Sequence, residues 1–197
     1  MRNPVESWDK SDSEWVNENK EFSESIATPE FNKDGQMFKI GNKDYKLAMN
    51  LVTNGVSHRK FMRQIFFSMD IEAPLYWWKQ MATYKVGTTF NSTSQMHLGG
   101  TREYTKDDFV YISDEKLARL NRLVDSFNKT RKPKMKKQLI KEIPQSYLYL
   151  RTVSGNYENL RNIYHDRKNH FLDEWSEVFC DYLERMPYSE FITKEGG

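Results

Sequence analysis

The sequence predicts an α/β (α+β) protein, with strands and helices interspersed along one chain. Three observations carry that expectation. From Gln64 to Glu72 the pattern alternates, with Ile65, Phe67, Met69 and Ile71 on one side and Phe66, Ser68, Asp70 and Glu72 on the other, as a half-buried strand requires. Elsewhere apolar residues recur at helical spacing, as in Leu117, Leu120, Val124 and Phe127. Aromatic residues make up 14% of the 197 residues, enough large rings to build a core despite a mean hydropathy of −0.84.

Residues 1–30 are polar and acidic with isolated Trp8 and Trp15, and they read as a loosely ordered arm; residues 31–197 read as one domain. Phe38 and Ile40 open the domain, the turn-like Gly41 to Asp44 follows, and Tyr45, Leu47, Ala48, Leu51 and Val52 predict a helix that stops near Gly55. After the alternating strand, Pro74 is pre-set for a first helical turn. Leu75, Trp78, Met81 and Ala82 predict a helix to about Lys85, broken by Gly87. Thr88 to Met96 then carries three Thr, two Ser, an Asn and a Gln, a loop rich in neutral hydrogen-bonding groups.

Thr105 and Asp108 have the spacing of a capping arrangement ahead of the Leu117–Phe127 stripe. The run from Thr130 to Lys141 is strongly basic; it reads as a loop with a solvated helix face, or as a site for phosphate or nucleic acid. Tyr147 to Val153 predicts a strand leaving at Gly155. A helix starting near Asn156 puts Asn156, Leu160, Ile163 and Arg167 on one face, and a last helix, Leu172 to Met186, carries Trp175, Val178, Phe179, Tyr182, Leu183 and Met186 before Pro187.

Composition excludes several classes. The net charge is only +2, so the whole-molecule field argues against a nucleic-acid partner. The single Cys180 forms no internal disulfide and reads as a buried or half-buried structural thiol. The four His show no metal-ligand spacing, so no metal site is expected. No stretch approaches the ~18 apolar residues of a membrane span, and the first residues lack the apolar run of a signal peptide. The expectation is a cytoplasmic protein.

The segment Ala73 to His97 resembles the signature region of the flavin-dependent thymidylate synthases, where a proline-led helix carries a Gln and an Arg-His-Arg triplet before a loop reading S-x-N-E-x-S-x-R. Gln80, Asn91 and Ser94 stand at the family's Gln, Asn and second Ser. The departures are Thr83, Tyr84 and Lys85 for the triplet, Ser92 for the Glu, Met96 for the loop's Arg, and one inserted residue between Lys85 and Asn91. A second segment, Ile143 to Trp175, resembles the family's later region: Pro144, Asn156, Leu160, Asn162 and Arg167 fall on its pattern without a gap. The resemblance runs in order from about Leu47 to Trp175.

The resemblance implies a central antiparallel or mixed sheet flanked by helices, FAD as cofactor, a pyrimidine nucleotide as substrate, a folate one-carbon donor and a homotetramer. In the family a reduced flavin delivers hydride while the folate supplies the carbon to deoxyuridine monophosphate, so the protein's work is orientation and electrostatics. By that carry-over Ser94 approaches the pyrimidine as the catalytic residue, Gln80 and Arg167 bind the nucleotide, and Lys85, Asn91, Asn156 and Asn162 hold the cofactor. Two alternatives stay open: a non-catalytic descendant of the fold acting as a regulator or inhibitor, and a nucleic-acid module using Arg131 to Lys141 with Tyr147 and Tyr149. Arg167 is either a ligand contact or half of an interface ion pair, because a cation on an apolar face needs a partner.

Phosphate recognition is where the pattern departs most. Two lost Arg contacts, at about 1.5–3 kcal/mol each, weaken binding by orders of magnitude unless Arg59, Lys60, Arg63 or Lys79 replaces them.

Overall fold

The structure is a computed structural model and describes residues 10–17, 36–92 and 102–196. The sequence-read boundary between arm and domain, at residue 30, falls outside the described residues. By their contacts the residues form two compact units, one from Met1–Phe67 and Asn156–Gly197, the other from Ser68–Gly155.

In the first unit, β1 (Glu14–Asn17) pairs antiparallel with β2 (Gln36–Lys39), and Trp15 meets Phe38 edge-on at 5.2 Å. Within residues 1–30, Glu14–Asn17 are therefore strand. The arm also holds the start of α1 (Asn42–Thr53): Gly41 offers no side-chain cap, and the Asp12 carboxylate accepts the amides of Lys43 at 2.8 Å and Asp44 at 3.0 Å instead. Those amides, Lys43's first, hold the Asp12 carboxyl below its ordinary value. Gly41 is required here, since a Cβ would collide with the Asp12 backbone. α1 ends as expected before Gly55, whose φ is 101°.

A 3-10 helix at Arg59–Gln64 precedes the sheet, and α5 (Tyr157–Arg167) returns to this unit. The last apolar stretch is not one regular helix. Glu174–Phe179 is a π-helical turn continued by α6 (Cys180–Glu184), with α7 (Glu190–Thr193) beyond Pro187. The wider turn shifts the register of the stripe. Trp175, Phe179 and Leu183 are buried, whereas Val178 is 63% exposed. Cys180 is buried as expected, and burial pushes its thiol up to about 11, an unreactive state.

In the second unit, β3 (Phe66–Pro74), β4 (Thr89–Ser92) and β5 (Leu148–Asn156) form a sheet in the order β3-β5-β4, with β4 and β5 antiparallel. The alternation read from the sequence holds: Phe67 and Ala73 are buried, while Phe66, Ser68, Asp70 and Glu72 are exposed. α2 (Leu75–Met81) starts at Pro74 but stops short of Lys85, and it buries Trp77, Trp78 and Met81. Thr89–Ser92, expected as loop, is strand, because Thr89 to Ser92 pair with Ser154 to Arg151.

α3 (Asp114–Thr130) is capped by Ser113 and ends where Arg131 turns left-handed at φ 52°; α4 (Pro133–Glu142) starts with proline in its first turn. These two helices pack around Tyr104, Phe109, Ile112, Leu120, Leu123, Val124 and Leu139. Each fully buried Leu stabilises this cluster by roughly 1.5–3 kcal/mol. The Thr105–Asp108 capping box forms as expected, on a short 3-10 turn.

Candidate functional site

The structure distributes the sequence-predicted residues between the two units. Gln80, Lys85 and Asn91 lie in the second, Asn156, Asn162 and Arg167 in the first. Ser94, and Met96 with it, lies outside the described residues.

Gln80 sits near the end of α2, half-buried, and its side-chain oxygen is shut from solvent with no hydrogen-bond partner among the described residues. Burying an amide oxygen without a donor costs about 1–3 kcal/mol, which a ligand donor would recover. Three residues beyond, at the triplet position, Thr83 donates its hydroxyl to the Gln80 backbone oxygen at 2.7 Å, closing the helix end. Lys85 is exposed in the turn before Gly87, whose φ is 77°. Asn91 is exposed on β4, opposite Thr152.

On α5, Asn156 is the N-cap: its side-chain oxygen accepts the Asn159 amide, and Asn159 returns the bond to the Asn156 amide, both at 3.1 Å. Only its NH₂ group remains for another partner. Asn162 is exposed. Arg167 is half-buried, and its guanidinium lies 5.1 Å from the centre of the Trp175 ring.

The cation that is fully buried on this helix is Arg161, 2% exposed. Its Nη1 donates to the backbone oxygens of Phe191 at 3.1 Å and Ile192 at 3.2 Å, in the C-terminal helix. Burial, then the nearby Arg59 charge, pulls its pKa down. Beside it, Arg59 Nε meets both oxygens of Glu158 at 3.1 and 3.0 Å, with both side chains buried. Arg59, one of the cations that sequence offered for phosphate, is thus engaged inside the fold.

Sequence reasoning missed Arg151. It stands on β5 with its guanidinium 4.8 Å from the Trp78 ring and 5.1 Å from the Tyr149 ring, and its Nε is buried without an acceptor among the described residues. Trp78 is itself fixed by its indole N–H, which donates to the Tyr149 oxygen at 2.7 Å. The signal was present in the strand's parity: Tyr149, Arg151 and Val153 share a face, and its other two members are buried. A cavity of about 190 Å³ in the same unit is lined by Glu72, Arg102, Asp107, Asp108 and the run Tyr147 to Leu150; of the sequence-predicted residues only Tyr147 and Tyr149, offered for the nucleic-acid alternative, line it. Within it Arg102 pairs with Asp108 and holds that carboxyl below its ordinary value.

No protein-family model matches the chain, and no curated protein matches it. Solved structures do. A flavin-dependent thymidylate synthase ThyX from Helicobacter pylori, complexed with FAD and dUMP, superposes with a TM-score of 0.63 at 15% identity, covering 85% of this chain and 87% of that one. A second structure of Helicobacter pylori ThyX with FAD and dUMP gives 0.61 at 14% identity over 77% and 81%. The chain has a flavin-dependent thymidylate-synthase-like fold. At this identity the likeness concerns the fold alone. No helix among the described residues is long and apolar enough to cross a membrane, and no group of His, Cys, Asp or Glu among them could hold a metal ion.

Proposed function

We propose that this chain binds a flavin and a pyrimidine nucleotide, as its structural neighbours in complex with FAD and dUMP do, and that transfer of a one-carbon unit to the base is the reaction for which such a site is built. The observation that carries this reading is Gln80. The pattern resemblance assigns it to the nucleotide, and its side-chain oxygen is buried and has no donor among the described residues.

The residues at hand fit a flavin through neutral hydrogen bonds. The carboxamides of Asn91 and Asn162 are exposed, and Asn156 keeps an NH₂ group beyond its capping duty. When bound, the flavin would supply the hydride; by the resemblance Gln80, Arg167 and Ser94 are the residues assigned to the nucleotide. For the phosphate, Arg151 supplies a cation held by two rings, with one N–H still without an acceptor among the described residues. A homotetramer and a folate donor belong to the same proposal.

A second reading, a binding protein without turnover, is favoured by Thr83. At a position where the family pattern has Arg, its hydroxyl is spent on the end of α2. Rescue of a thymidine-requiring strain separates the readings. Growth supports catalysis; no growth, together with a melting-temperature rise on adding dUMP that Gln80→Ala abolishes, supports binding alone. Absence of both growth and any thermal response to dUMP overturns the nucleotide assignment.

A further inference from the structure

The near-neutral charge of the chain conceals a segregated one. Between Lys129 and Lys141 there are seven cations and no carboxylate, while the whole chain is only +2, so the remainder carries a net −5. The structure puts this run at the end of α3 and along α4. Lys129 pairs with Asp125, and Arg131 and Lys136 each lie 5.7 Å from the Phe127 ring. Lys134, Lys137 and Lys141 are exposed and have no ion pair among the described residues. At about 100° per residue these three fall within an arc of about 60°, facing away from Met135 and Leu139, which pack into the core cluster. They form a stripe roughly 10 Å long. Glu142, which follows Lys141, is occupied by Arg119, with Nε at 2.5 Å and Nη2 at 2.7 Å.

We propose that this face of α4 docks the phosphate backbone of a nucleic-acid duplex without reading its sequence, independently of any flavin or nucleotide site. A duplex strand presents a phosphate about every 3.4 Å of its axis, so a stripe of this length faces about three phosphates, one for each lysine, and each lysine that neutralises one releases condensed counterions. The chemistry of the face selects this occupant over others. A membrane-surface helix must insert apolar side chains, and those of α4 point into the protein. A single strand needs exposed rings to stack on. The one ring beside the stripe, Phe127, is flanked by Arg131 and Lys136 instead.

The test is fluorescence anisotropy of a random-sequence DNA duplex of about 20 base pairs, titrated with the full-length protein over a range of salt concentrations. The wild type should bind at low salt and lose affinity steeply as salt rises. The triple change Lys134→Glu, Lys137→Glu, Lys141→Glu should weaken binding at least about ten-fold and lower the slope of log K against log salt by about three. A control with the same change of net charge, Lys43→Glu, Lys46→Glu, Lys194→Glu, should retain the wild-type slope. All three proteins should keep the wild-type melting temperature, because these side chains are exposed. No binding at low salt, equal losses in the two triple variants, tighter binding of the single strand, or preference for anionic phospholipid vesicles or polyglutamate over the duplex would each overturn the proposal.

Discussion

The two units handle charge in opposite ways. Among the described residues the four buried charged ones, Asp44, Arg59, Glu158 and Arg161, belong to the first, where each is met by a built partner: serines, an ion pair, or the carbonyls of the last helix. The second unit buries none among its described residues. Its core is aliphatic and aromatic, and its cations stand at the surface, among them those on α4, or, like Arg151, are stacked on rings. The first unit is therefore sensitive to losing one member of a pair, the second to losing volume.

The largest effect expected is in the first unit. Glu158→Ala strands the Arg59 guanidinium in the interior and should destabilise by about 3–5 kcal/mol, read by urea unfolding. Replacing both partners, Arg59→Met with Glu158→Leu, should recover most of that loss. If the single and double changes cost the same, the pair is not what makes this unit sensitive. In the second unit Leu120→Ala should cost about 2–5 kcal/mol, with no partner replacement able to restore it short of refilling the space.

Smaller effects sharpen the contrast at the helix starts. Asn156→Ala removes a reciprocal cap, and Ser113→Ala a single bond of 3.3 Å; losses of about 0.5–2 kcal/mol are expected, larger at Asn156. Equal losses would mean that the return bond from Asn159 contributes nothing. The smallest effect concerns Glu142, whose carboxyl is held down to about 2, first by Arg119 and then by Gln138. A depressed carboxylate stabilises the fold above its ordinary value of 4.5 and loses that contribution as pH falls toward 2. Glu142→Gln should therefore be less stable than the wild type at neutral pH, with the difference closing in acid.

These contrasts follow how the sequence could be read. β3 is legible because one exposed and one covered face impose a strict period of two, and α1 because Gly55 marks its end. The π-helical turn at Glu174–Phe179 is not, since one wider turn leaves the composition of the stripe unchanged while moving Val178 into solvent. Arg161 escapes for a different reason. Its partners are backbone carbonyls some 30 residues away, which carry no side-chain signature. For Arg167 the sequence offers a ligand contact or an interface ion pair; the Trp175 ring beside its guanidinium is brought there only by the folded chain. On the candidate site, the positions of Gln80 and Asn162 could be matched by pattern. The orphaned oxygen of Gln80 and the stacked Arg151 could not, because both depend on which strand covers α2.

Flavin retention tests the central claim most directly. The full-length protein, incubated with FAD and passed through a desalting column, should carry a flavin absorption band near the blue edge of the visible, and Asn162→Ala should weaken that retention more than Asn121→Ala. Protein that emerges colourless, with a melting temperature unmoved by FAD at any concentration, would contradict the account and leave the chain with the fold but without the cofactor.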